Sequence, residues 1–269
     1  MWNIEEIRPP ANKGGFKFAI FDFDGTLSLL RQGWQEIMVP YFTEVVMAVA
    51  QNEDKAKIAA EVREFVDILT GKQTIYQCIR LAEAVQKRGG TPLDPYEYKA
   101  EYLRRLMAQI QGRIDALRSG KDCPVQHLVP GSEEFLKMLR NQGISIYLAS
   151  GTDEESVVDE AMLLGLTQYF DGGIYGAKDS TMDCAKEVVI RQIFDENGID
   201  PSQLMVFGDG YVEIQLVKEI GGYAVAVATD EEKREGIDPW KRERLLSANA
   251  DAVVPDFSEA EKLITFLGM

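Results

Sequence analysis

The chain of 269 residues is 45% apolar and carries a net charge of −15 at pH 7. That length and apolar content suit one large globular domain or two modest ones, while the acidic balance argues against nucleic-acid or anionic-membrane partners, which need a basic face. A single histidine, His127, excludes multi-histidine metal sites and leaves acid–base chemistry mainly to carboxylates.

The amino terminus, Met-Trp-Asn-Ile-Glu-Glu, has no basic region leading into an apolar stretch, and no uncharged run approaches the ~18 residues of a membrane span. A soluble, cytoplasmic protein is expected. Cys78, Cys123 and Cys184 are odd in number and form no Cys-x-x-Cys pair, which suits reduced thiols.

The first strand is expected over 16–23, where an apolar stretch closes in Phe-Asp-Phe-Asp-Gly-Thr, residues 21–26. Asp22 and Asp24 are two apart and share a face of an extended chain, and Gly25 lets the chain turn away from that face. From there to about 118, apolar residues recur at three-and-four spacing in four runs, exemplified by Met38, Phe42 and Val46, then Ile58, Val62 and Phe65, then Ile75 and Ile79, then Tyr102, Leu106 and Ile110. Four amphipathic helices follow from that spacing, separated by turn or capping clusters at 51–54, 70–71, 89–92 and 119–120.

From about 124 the rhythm becomes strand and helix in alternation. Strands are expected at 144–149, 173–176, 204–207, 224–228 and 252–254, with helices at 135–140, 153–164, 183–196 and 212–219. Such alternation implies right-handed crossovers and a doubly wound parallel sheet. The fold class is therefore α/β, with an all-helical insertion directly after the first strand. His127, between Pro124 and Pro130, falls in a linker and is assigned a structural role.

Three further clusters carry chemistry. Ser150-Gly151-Thr152 ends an expected strand and opens a helix, where backbone N–H groups and a hydroxyl can receive an anion, although helix capping also explains it. Two lysines stand near these strand ends and could offer a cation to such an anion. Lys186 is favoured because it sits in the first turn of a helix capped near Asp183, where a cation opposes the helix dipole; Lys178, following a short strand, competes. Finally, Gly208-Asp209-Gly210 ends an apolar strand, and Glu213 follows one helical turn later. With Asp22 and Asp24 these acids form an oxygen-only set that selects a hard ion such as Mg²⁺.

Asp22-Phe-Asp24-Gly-Thr, Ser150-Gly-Thr, Lys186 at a helix start and Gly208-Asp209-x-x-x-Glu213, in this order, resemble the four motifs of the haloacid dehalogenase-like (HAD) superfamily. The resemblance covers 14–29 and 124–257. It implies a HAD-like Rossmannoid core of 14–29 and 124–269, a helical C1 cap of 30–123, and a phosphoglycolate phosphatase-like protein. By the same resemblance Asp22 is the nucleophile, Asp24 the acid and then the base, and Ser150, Gly151 and Lys186 hold the phosphoryl group. Asp22, Asp24, Asp209 and Glu213 surround Mg²⁺, with Glu213 standing where Asp is more usual and either touching the ion or orienting its water.

A carboxylate at Asp24 separates the chain from dehalogenases and transport ATPases. A Mg²⁺-dependent phosphatase is expected, acting on a small phosphorylated metabolite, a phosphosugar or a phosphoglycolate-like compound, through an aspartyl-phosphate. A sugar phosphomutase and a non-catalytic binding or regulatory protein are the alternatives. In the cap, Arg31 is read as substrate contact or solvated hinge residue, 71–74 as a specificity loop or a plain capped turn, and Trp34, Tyr41 and Phe42 as core.

Overall fold

Short apolar runs, buried along their whole length, form the inner strands of a sheet covered on both faces. The computed structural model describes residues 2–178, 185–198 and 200–269. In chain order the elements are β1 (Glu5–Glu6), β2 (Phe18–Phe21), α1 (Gln35–Met47), α2 (Lys55–Ile68), α3 (Thr74–Lys87), α4 (Pro95–Arg118), α5 (Ser132–Asn141), β3 (Ser145–Asp153) and α6 (Glu154–Leu163). Then come β4 (Gly173–Ala177), α7 (Ala185–Asn197), β5 (Leu204–Gly208), α8 (Tyr211–Ile220), β6 (Tyr223–Val227), α9 (Pro239–Ser247), β7 (Ala252–Val254) and α10 (Ala260–Leu267).

Among the described residues seven strands form one sheet in the order β1-β7-β6-β5-β2-β3-β4. All neighbours are parallel except β1 on β7. This is the expected doubly wound α/β architecture, with β2 an inner strand between β5 and β3. One core centres on Phe21, Phe135, Phe207 and Phe257, with Phe21 stacked on Phe207 at 4.6 Å and Phe135 on Phe257 at 5.0 Å. Each such ring, fully buried, contributes about 1.5–3 kcal/mol relative to exposure.

Helices α1 to α4 form the all-helical insertion and have a hydrophobic cluster of their own, in which Met38, Phe42, Val62, Val66, Leu81, Leu106 and Ile110 are buried. Their ends follow local chemistry. Asp54 caps α2 by accepting from the N–H groups of Ala56 and Lys57, and Asp94 forms a capping box with Glu97 ahead of Pro95 on α4. Of the described thiols Cys78 is buried and Cys123 exposed, and both are free. His127 is held by Asp122 at 2.7 Å. Among the described residues no helix is long and apolar enough to cross a membrane.

The structure departs from the sequence reading in three places, and a fourth expectation lies outside the described residues. β2 ends at Phe21, so both acids lie beyond the strand. β3 runs on through Ser150-Gly151-Thr152 to Asp153, with a register shift after Ala149. β1, α9 and α10 are additional elements. Asp183, expected to cap α7, lies with Cys184 outside the described residues.

Candidate active site

Parallel register brings the motif residues together. Phe21 lies level with Leu148 of β3 and with Phe207 of β5, so Asp22, Ser150 and Asp209, one or two residues further on, emerge side by side at the carboxyl edge of the sheet. One oxygen each of Asp22, Asp209 and Glu213 lie within 4.8 Å of one another, and all three residues are buried. Lys186 Nζ contacts Asp22 Oδ1 at 3.2 Å and Glu213 Oε2 at 2.8 Å, and it donates to the Gly71 carbonyl at 3.3 Å.

Burial pushes the Asp22 carboxyl well above the usual carboxylate range; Lys186 opposes this, while Glu213, Asp209 and Asp24 add to it. Full ionisation of Asp22 therefore calls for more positive charge than Lys186 supplies.

The acids are held from behind. Glu213 Oε1 accepts from the Gly210 N–H at 2.5 Å, closing the first turn of α8. Thr26 Oγ1 accepts from the Asp209 N–H at 3.0 Å. Gly25 is required twice over: its φ is +76°, and a Cβ there would sit 2.2 Å from Asp209 Oδ2.

Asp24 stands beside this group, not within it: among the described residues the side-chain oxygens close enough to share one ion are those of Asp22, Asp209 and Glu213, while Asp24 lines the same cleft. Thr152 Oγ1 donates to Asp24 Oδ2 at 2.7 Å, and Arg31 Nε lies 3.9 Å from Oδ1. Oδ1 itself is buried without a hydrogen-bond partner, at the wall of the cleft. Burial raises the Asp24 pKa to about 6; Arg31 and the Thr152 hydroxyl hold it down and Glu160 pushes it up.

Ser150 and Gly151 line the same cleft, but not at a helix start. They lie in the last part of β3, and α6 opens only after Asp153, whose side chain makes no capping bond. Neither Ser150 nor Thr152 caps that helix; instead Ser150 Oγ accepts from the Thr152 N–H at 3.0 Å. The two lysines are also separated. Lys186 is 2% exposed among the acids, whereas Lys178 is 56% exposed and pairs with Glu154 at 3.2 Å.

The helical insertion closes the other side. Thr70, Gly71, Lys72 and Thr74 line the cleft together with Trp34, Met38, Gln77 and Tyr102. A Cβ on Gly151 would meet the Lys72 carbonyl at 2.6 Å, and one on Gly71 would meet Glu213 Oε2 at 2.9 Å. The 71–74 segment is thus packed on the acids rather than standing free as a turn. Tyr41 and Phe42 belong to the helical core, and Trp34 packs against that core while also lining the cleft. The cleft offers about 90 Å³ to water-sized molecules and opens to solvent on one side.

A family model described as haloacid dehalogenase-like hydrolase matches residues 16–221. The chain belongs to that family. It is similar to a phosphoglycolate phosphatase of Synechococcus elongatus, 23% identical over 208 residues that make up 77% of this chain and 82% of the relative. Its fold is that of a β-phosphoglucomutase from Clostridium difficile, at 16% identity and a TM-score of 0.63 over 94% and 97% of the two chains. It is likewise that of a predicted phosphoglycolate phosphatase from Haemophilus somnus, at 17% identity and a TM-score of 0.59 over 93% and 98%.

This HAD-like hydrolase also contains partners that its sequence did not disclose. Arg31 is no solvated hinge residue: it is buried and chelates Glu160 of α6, with Nη2 to Oε1 at 2.6 Å. Lys241, in the first turn of α9, donates to Asp209 Oδ2 at 2.8 Å and to Glu231 Oε1 at 2.5 Å. The signal for α9 was Asp238-Pro239, an N-cap followed by proline at the first helical position.

Charge decides whether a metal fits. Asp22, Asp24, Asp209, Glu213 and Glu231 converge largely shielded from water, against Lys186 and Lys241, while Arg31 and Glu160 offset each other. Uncompensated carboxylates so placed are strongly disfavoured. An oxygen-only donor set with excess negative charge suits a hard divalent cation, and the residues that can hold one are Asp22, Asp209 and Glu213.

Proposed function

We propose that this hydrolase cleaves the phosphate monoester of a small metabolite, with Asp22 as the nucleophile and Mg²⁺ as the cation. The observation that carries the reading is the convergence of Asp22 with Lys186, Asp209 and Glu213 at the sheet edge, beside Asp24, which lines the same cleft and whose buried Oδ1 accepts no hydrogen bond. The metal, bound among Asp22, Asp209 and Glu213, supplies Lewis-acid charge to the phosphoryl oxygens. The cap of 30–123 over a core of 14–29 and 124–269 is part of the same proposal, with 71–74 and Trp34 facing the leaving group.

Asp22 attacks phosphorus in line and forms an aspartyl-phosphate. Lys186 Nζ, Ser150 and the backbone N–H of Gly151 take the charge on the equatorial oxygens. Asp24 gives its proton to the leaving alcohol and then, as the carboxylate, takes one from the water that frees Asp22. A pKa of about 6 suits both tasks near neutral pH. Glu213, its oxygens engaged by Gly210 N–H and Lys186, orients the lysine.

The Asp24 role carries a pH signature. Because the first step needs protonated Asp24, kcat/KM should fall as pH rises through its pKa. The Thr152 hydroxyl stabilises the ionised form, so Thr152→Val should raise that pKa and move the alkaline limb upward by roughly one pH unit, the equivalent of a hydrogen bond to a charged acceptor. A limb that stays put or moves down would remove Asp24 as the acid.

The direct test of the function is a panel of phosphorylated metabolites, including 2-phosphoglycolate and hexose phosphates, incubated with purified protein and Mg²⁺. Release of inorganic phosphate that stops with EDTA is expected. Intramolecular transfer of phosphate on a sugar without release would make the protein a phosphomutase, and binding without turnover would make it a binding protein.

A further inference from the structure

We propose that Lys241 is a positioning residue that holds Asp209 as a one-oxygen ligand of the cation site, with Glu231 as its counter-charge. The inference rests on the metal-dependent reading above and assigns a task within it to a lysine and a glutamate outside the family-like motifs.

Lys241 is only 11% exposed, unusual for a lysine. Its ammonium lies between two carboxylates, 2.8 Å from Asp209 Oδ2 and 2.5 Å from Glu231 Oε1. Two features fix it there, against the helix dipole. Asp238 Oδ1 accepts from the Lys241 backbone N–H at 2.8 Å, which anchors the first turn of α9. A cation in that turn opposes the helix dipole, so helix formation alone gives no reason for it. Gly25 leaves the space open, since a Cβ there would stand 2.2 Å from Asp209 Oδ2 and 3.1 Å from Glu231 Oε1.

The consequence falls on Asp209. With Oδ2 bonded to the ammonium, Oδ1, which receives the Thr26 hydroxyl at 3.4 Å, is the Asp209 oxygen not tied to Lys241, and rotation that would present both oxygens to one ion breaks the Lys241 bond. Glu231 has a separate task. Asp209 already answers to a divalent cation, and a lysine sharing it alone would add an uncompensated positive charge; Glu231 makes the Lys241 contribution to the local field nearly zero. Lys241 therefore acts through orientation. Partners that orient metal ligands in this way typically account for about 10–100-fold in metal affinity.

The test separates orientation from field. In the double variant Lys241→Met with Glu231→Gln the net charge is unchanged, so any change in affinity reports orientation. Binding of Mn²⁺ to the metal-free protein, followed calorimetrically and by the spin-resonance signal of free Mn²⁺, should weaken about tenfold or more, with turnover recovering at saturating metal. A merely structural pair would lower the melting temperature and leave the dissociation constant of the folded protein where it was, which overturns the assignment. Lys241→Met alone gives a second reading by sign: loss of a positive charge by itself tightens cation binding, so weaker binding supports positioning and tighter binding overturns it. Failure of the unaltered protein to bind Mn²⁺ at all would bring down the metal-dependent reading together with this one, whereas normal binding with an unaffected double variant removes only the role of Lys241.

Discussion

Replacing Asp22 by Asn is expected to cut turnover by on the order of 10⁴-fold or more, the scale lost when a covalent nucleophile is removed, while the protein stays folded. The two side chains have the same shape, so the packing around β2 and the Asp22 N–H bond to Phe207 are kept. Stability follows from the sign of the pKa shift. Asp22 has a raised pKa in the folded protein, so its contribution favours folding below the unfolded carboxyl value and is lost as pH rises through the folded one. Near neutral pH the metal-free protein therefore bears the cost of ionising a buried group, and the amide removes it. Thermal melts without metal should place the variant at or above the unaltered protein at pH 7, in parallel with phosphate release that falls to background. Undiminished turnover would rule out the aspartyl-phosphate. A large loss of melting temperature would show Asp22 to be held as a structural ion pair with Lys186.

What the sequence disclosed of this site is what strand order controls. Asp22 and Asp209 directly follow two strands of the sheet and Ser150 lies in the last part of a third, and once β2 lies between β3 and β5 their meeting is obligatory. Glu213 was legible for a local reason, one helical turn after Asp209. The side chains that were not legible are bound across long stretches of chain. Arg31 and Glu160 pair over 129 residues, and Lys241 reaches Asp209 through a polar helix with Leu245 as its buried residue. No apolar period marks such a helix, and its capping pair was the only written signal. Asp24 shows a different limit. β2 ends one residue before Asp22, yet both acids line the one cleft; what spacing could not disclose was the Thr152 hydroxyl bonded to Asp24 and the Arg31 guanidinium beside it.

Lys186→Met is expected to lower kcat by about 10²–10³-fold, the usual loss when a charge-stabilising donor of a transition state is removed, and to change KM less. Lys178→Ala should stay within a few-fold of the unaltered protein. The difference follows from where the two ammonium groups lie. Lys178 is more than half exposed and pairs with Glu154 at the surface, an interaction worth at most about 1 kcal/mol. Lys186 is 2% exposed and joins Asp22, Glu213 and the Gly71 carbonyl. Methionine keeps its buried volume, so the loss reports charge rather than a cavity. Without the ammonium, Asp22 and Glu213 face each other with no positive side chain between them, and the metal-free variant should melt lower at pH 8 than at pH 5, because the raised carboxyl of Asp22 in the folded state makes stability fall as pH rises. Steady-state kinetics on a substrate identified from the panel would decide the order of the two lysines. If Lys178→Ala proved the more damaging, phosphoryl charge would have to be met from the β4 side of the cleft, and the contact between Lys186 and Asp22 would be a packing arrangement of buried charges.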